Sequence, residues 1–244
     1  MTRLPAFTEG DIYERILAAL IGQQLVPGTK LAEEKLAKAF GVSRTLVRPA
    51  LVRLANEQLV TLTPHRGATV AKPSEREARE VFEVRCMIEP RLTERFVANA
   101  TVVDLDLLAR CIAEEEAARV SGDTRSAIRL AGDFHLQIAL GAKHPTLERI
   151  LRALVSRTSL VLMTYGPQRG QTQPAANSCA CQEHRTLLNA IRQRNTQQAV
   201  CLMQEHLLTL EDSLQFGVSR AAPPDLALLF GLSSPSADAL PQTA

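Results

Sequence analysis

No stretch of eighteen uncharged apolar residues occurs in the chain, and the N-terminal residues MTRLPAFTEG lack the apolar run of a secretory leader. The expectation is a cytoplasmic protein with no membrane partner. There is no CxxC pair among the five cysteines, Cys86, Cys111, Cys179, Cys181 and Cys201, and their number is odd. That argues against a disulfide framework or a zinc ribbon and in favour of reduced thiols. The closely spaced Cys179 and Cys181 are read as ordinary thiols near a helix start, with metal binding or oxidant sensing as the alternative. A glycine-rich phosphate loop and a nucleophile motif are missing as well, which removes two common enzyme signatures.

What is present is enough apolar sequence for a real core: 45% of 244 residues are hydrophobic, a length that suits two domains. The net charge is only +2, but residues 1–73 hold ten Lys/Arg against six Asp/Glu, leaving eighteen against twenty in the rest. A basic front end favours nucleic acid only if its cations share one face.

Residues 9–21, EGDIYERILAALI, place Ile12, Ile16, Leu17, Leu20 and Ile21 at amphipathic-helix spacing before VPGT breaks the pattern. A second helix is expected over about 32–40, ended by Gly41, and Ser43 is the expected N-cap of a third. Two β-branched runs, VTLTP and GATVA, then flank His65-Arg66-Gly67 and read as a hairpin. Helix, helix, turn, helix, hairpin is the plan of a winged helix-turn-helix. From Ser74 the texture changes to six helical segments, near 74–99, 102–120, 123–142, 145–165, 176–194 and 196–216. The fold class expected is mainly α, with a winged helix-turn-helix over 5–73, an all-helical domain over 74–216 and a flexible tail over 217–244.

On the third helix, Leu46, Val47, Ala50, Leu51 and Leu54 project to one side, the side a helix buries. Arg44, Thr45 and Arg48 gather on the other, within the first two turns, where a recognition helix meets base edges and phosphates of double-stranded DNA. The arginine fork bonds guanine or phosphate, and Thr45 reaches a backbone oxygen. His65, Arg66 and Gly67 form the expected wing, with Arg66 directed to the minor groove or its phosphates.

The run GTKLAEEKLAKAFGVSRTLVRPALVRL, followed by HRGATV, resembles the winged-helix domain of the GntR family of bacterial transcription regulators. The resemblance implies DNA contacts from Arg44, Thr45, Arg48, His65 and Gly67, and a phosphate or structural contact from Arg53. Pro49 departs from the pattern, since the family usually has glutamate there, and proline removes a backbone hydrogen bond and is expected to kink the helix or tighten its first turn.

The segments VFEVRCMIEP, GDFHLQIA, CQEHRTLLNAI and AVCLMQEHL are similar to the helical effector-binding domain of the FadR-like branch, an antiparallel bundle around a cavity. The resemblance implies a divalent metal, zinc, nickel or similar, held by His135, His184 and His206, each on its own helix. The family's aspartate, four residues before the first histidine, is replaced by Ala131. Extra waters, Cys181 or no metal at all are the alternatives this leaves. Asp133 points roughly 200° away from His135.

Arg85, in the matching VxxxRxxxE pattern, is placed either on the carboxylate of a small effector or on Glu89 one turn on. His144, ahead of Pro145, takes a helix-terminus role. These features together imply a ligand-responsive regulator, a repressor binding a near-palindromic operator as a homodimer, with a small carboxylic acid as effector. The rival reading is a metal-dependent enzyme using the three histidines to activate water.

Overall fold

The computed structural model describes residues 7–22, 24–64, 66–166 and 174–217, with the side chains of 125 and 174–180 also left out. His65, the side chain of Cys179 and all but the first residue of the tail expected over 217–244 lie outside the described residues.

Three helices open the chain: α1 (Glu9–Ile21), α2 (Glu33–Phe40) and α3 (Arg44–Asn56). Thr8 caps α1 in a reciprocal box with Asp11. Gly41 ends α2 in the left-handed conformation at φ 65°, the backbone state that turns the chain into α3 without a Cβ penalty. Ser43 stands at the N-cap of α3 with extended backbone, but its hydroxyl makes no capping bond. The helix runs unbroken through Pro49, whose missing N–H falls on the exposed face.

Strands β2 (Val60–Thr63) and β3 (Gly67–Val70) form the expected hairpin, paired from Val60↔Val70 to Thr63↔Gly67. A third strand, β1 (Lys30–Leu31), pairs with the other edge of β3, giving the order β1-β3-β2. The core beneath unites Ile12, Ile16 and Leu20 of α1, Leu36 and Phe40 of α2, and Val47, Leu51 and Leu54 of α3.

Six helices follow: α4 (Glu75–Asn99), α5 (Val102–Val120), α6 (Thr124–Gly141), α7 (Pro145–Tyr165), α8 (Pro174–Arg192) and α9 (Thr196–Asp212). Ser74 and Thr101 close capping boxes at the starts of α4 and α5, and the His144 ring accepts the Leu147 N–H at the start of α7. The bundle core is apolar, built around Leu92, Phe96, Phe134, Ile138, Leu187 and Met203.

Helix α7 belongs to both halves of the molecule. Leu151, Leu154 and Val155 lie in the bundle core, whereas Leu160 and Met163 belong to the winged-helix core. One turn further, the Tyr165 hydroxyl donates to the Pro73 carbonyl of the linker at 2.8 Å. A shift of α7 is therefore felt on both sides. None of the helices is long and apolar enough to cross a membrane, among the described residues.

Candidate functional site

Inside the bundle, α6, α8 and α9 each deliver one buried histidine to a common point. The ligand atoms of His135, His184 and His206 all lie within 4.8 Å of one another. Each ring is oriented by a carboxylate at its Nδ1: Glu89 to His135 at 2.5 Å, Glu115 to His184 at 2.8 Å and Glu183 to His206 at 2.7 Å. An ionised carboxylate only accepts, so each Nδ1 carries the proton and each Nε2 presents a lone pair. The Nε2 atoms of His184 and His206 then face each other at 3.3 Å. Two lone pairs at that separation repel unless a cation lies between them. Zinc–nitrogen bonds of about 2.0–2.1 Å in tetrahedral array set neighbouring donors about 3.4 Å apart, which matches the 3.3 Å observed. The donor set fits a divalent metal.

The anchoring carboxylates are themselves held. Burial would raise Glu89, but the Arg85 guanidinium and then His135 more than reverse this and keep its carboxyl at about 2. Glu115 follows the same logic: burial opposes ionisation, and bonds from His184 and Arg119 hold it at about 2. Burial drives His135 down to about 3, and His184 is lowered for the same reason. Phe134 stacks on His184 with ring centroids 4.1 Å apart and fixes its plane.

These shifts carry a sign. An unfolded histidine takes up its proton near pH 6.5, while folded His135 stays neutral to about 3. Acid therefore favours the unfolded chain, by up to about 1.4 kcal/mol per pH unit for each such group. The chelator-treated protein is expected to show a lower urea midpoint at about pH 5.5 than at about pH 7.5, a slope that His135→Gln flattens. Identical profiles for the two proteins would contradict the buried neutral histidine.

The fourth position has no protein donor among the described residues. Ala131 offers none, and Asp133 pairs with Arg129 at 2.7 Å on a partly exposed surface. Cys181 does not join the donor group. Its thiol lies instead against Glu115 and Arg119, and burial followed by the Glu115 charge raises it to about 11.

Arg85 takes the Glu89 alternative, with one nitrogen left over. Its Nε donates to Glu89 at 2.5 Å and Nη1 to Thr158 of α7 at 3.3 Å, while Nη2 is buried with no hydrogen-bond partner. The Thr93 hydroxyl, two turns further along α4, is likewise buried without a partner. Arg85, Glu89 and Thr93 repeat every four residues, so they form one polar stripe on a helix face. An unsatisfied buried donor costs about 1–3 kcal/mol, a cost that a bound anion at Nη2 removes.

At the other end of the molecule, Arg44, Thr45 and Arg48 are exposed on α3, opposite its buried Val47, Ala50, Leu51 and Leu54. Arg66 is exposed at the hairpin turn, and Gly67 has φ 85°, a conformation that favours glycine. The Arg53 guanidinium lies 3.7 Å from the Tyr13 ring centroid and its Nε 3.8 Å from Glu57.

Reading the sequence missed Glu115, Glu183, Phe134 and Thr93. For Glu115 the signal was faint, a run of three glutamates of which only the middle one is buried. Glu183 directly precedes a metal-type histidine, a stronger hint in retrospect.

A winged helix joined to a helical bundle with an interior polar site defines a DNA-binding protein with a second, regulatory domain. Residues 8–70 match the family model described as bacterial regulatory proteins, gntR family, and residues 80–209 match that of the FCD domain. The chain belongs to the GntR family of transcription regulators, in the group that carries an FCD domain. It is 28% identical over 160 residues to the HTH-type transcriptional regulator McbR of Escherichia coli (strain K12), covering 66% of this chain and 69% of that one. It is 41% identical over 95 residues to the gluconate operon transcriptional repressor of Bacillus licheniformis, covering 39% of this chain and 37% of that one. The solved structure of E. coli McbR/YncC shares the fold, with a TM-score of 0.75 at 23% identity over 86% of this chain and 95% of that one. These families and relatives are DNA-binding regulators, which displaces the enzyme reading.

Proposed function

We propose that the protein is a metal-dependent, ligand-responsive repressor that binds a near-palindromic operator as a homodimer. The observation that carries the ligand half is the three-histidine cluster with each Nδ1 fixed by a carboxylate, next to an unsatisfied Arg85 donor. His135, His184 and His206 would hold a divalent metal such as zinc or nickel. Once bound, it supplies a Lewis-acidic centre with an open position for an anion. Arg85, whose Nη2 has no hydrogen-bond partner, would pair with the carboxylate of a small acid bound there.

The DNA half rests on the exposed triad Arg44, Thr45 and Arg48, with His65, Arg66 and Gly67 as the wing. A single winged helix buries little DNA, so two-fold pairing supplies the specificity. A relative named as an operon repressor supports the negative sign. Because Thr158 binds Arg85 and α7 enters the winged-helix core, an anion that draws Arg85 away changes what holds α7 and hence the DNA-binding head.

Calorimetric titration of zinc or nickel into chelator-treated protein tests the site. One ion per chain is expected, with an affinity that falls about 10–100-fold in Glu115→Gln, which loses the carboxylate anchoring His184. No uptake by the wild type would end the metal reading. Sedimentation of the free protein at twice the chain mass supports the dimer; a monomer that stays monomeric on operator DNA would refute it.

A further inference from the structure

We propose a second ligand site, in the cleft between the two domains, that takes a compact polyanion and is anchored by Arg157. It lies outside the histidine site and needs no metal. On α7, Thr158 turns inward to Arg85, while Arg157 lines the groove facing the winged helix. A cavity of about 410 Å³ opens there, walled by Asn56, Thr61, Lys72, Glu77, Leu160 and Arg157. An adjoining recess of about 340 Å³ is lined by Glu57, Arg149 and again Arg157. Domain interfaces are preferred places for small-molecule sites.

The argument for an anion comes from which charges are already committed. Glu57 accepts from the Tyr13 hydroxyl at 2.7 Å and faces Arg53 at 3.8 Å. Glu77 closes the capping box of α4, accepting from the Ser74 N–H at 2.7 Å and its hydroxyl at 2.6 Å. The Arg157 charge helps to lower Glu77, yet the two form no ion pair. Arg157, Arg149 and Lys72 make no hydrogen bond or ion pair among the described residues. The walls thus hold three cations with no hydrogen bond or ion pair among the described residues, Arg157 half-buried and Lys72 and Arg149 exposed, against two carboxylates of which Glu57 faces Tyr13 and Arg53 and Glu77 has one oxygen engaged by Ser74. A forked guanidinium in a half-buried groove suits phosphate or carboxylate groups. The walls include the end of the recognition helix, the hairpin and the linker on one side and α4 and α7 on the other. Occupancy would therefore bias the position of the DNA-binding head.

The test uses the full chain, freed of metal, with pyrophosphate as the phosphate probe and tricarballylate as the tricarboxylate probe, titrated by calorimetry at physiological salt. Saturable uptake of at least one probe, one per chain, is expected at millimolar concentration or below. Which probe binds more tightly assigns the class. Arg157→Met keeps the alkyl length, breaks no ion pair and should leave the thermal midpoint unchanged while weakening uptake about tenfold or more. His184→Ala should leave uptake unchanged, which separates this site from the histidine site. Equal binding by Arg157→Met, loss in His184→Ala, or no binding of either probe by the wild type overturns the proposal.

Discussion

Arg44→Ala combined with Arg48→Ala is expected to abolish specific operator binding while the protein remains folded. Each bidentate arginine contact is worth about 1–3 kcal/mol of discrimination. Losing two in each protomer costs about 4–12 kcal/mol across the dimer, enough to bring affinity close to the nonspecific level, which lies about 4–10 kcal/mol weaker. The fold should not notice. Both side chains are exposed and unpaired among the described residues, and the buried face of α3 is left intact. Alanine also favours the helix more than arginine does, and substitutions on such a surface usually stay within about 0.5 kcal/mol. Fluorescence anisotropy on labelled operator, with a thermal melt alongside, reads both quantities. Full operator affinity in a normally melting double variant would remove α3 from the DNA interface.

His184→Ala carries the second large effect, on metal uptake. It deletes a donor that stands 3.3 Å from its neighbour on His206 and frees Glu115, which keeps its bond to Arg119 at 2.7 Å. Saturating metal at about a hundred times Kd stabilises a protein by about 2.7 kcal/mol. In a chain of this size that raises Tm by roughly 5–10 °C. The wild type is expected to show this shift and His184→Ala none, whatever the variant's own midpoint. His206→Ala should behave alike. His144→Ala should keep the shift, because that ring caps α7 away from the cluster. An undiminished shift in His184→Ala would place the metal elsewhere.

The helices were legible because their apolar period and punctuation agree: Gly41, Ser43, Ser74 and the His144-Pro145 start all fall at observed ends. Strand β1 was not, since Lys30-Leu31 has no β-branched run and becomes a strand only by pairing with β3. Pro49, expected to kink α3 or tighten its first turn, does not end it; the packing of Val47, Ala50 and Leu51 outweighs one lost exposed bond. At the interior site, three histidines on three helices could be read from the family resemblance. The carboxylates behind them could not, because Glu89 on α4, Glu115 on α5 and Glu183 on α8 each reach across to a histidine on another helix. Arg85 shows the limit most clearly. Sequence offered Glu89 or a ligand as its partner, and the folded chain gives Glu89 one nitrogen, Thr158 another, and leaves the third unsatisfied.

The most direct test of a ligand-responsive regulator is recovery of genomic fragments bound by the purified protein at near-physiological salt, where nonspecific phosphate binding is weak. A small set of sites with two-fold symmetry is expected, with occupancy that changes when metal and candidate carboxylic acids are added. Random recovery by folded, dimeric protein, with and without metal, would contradict the account.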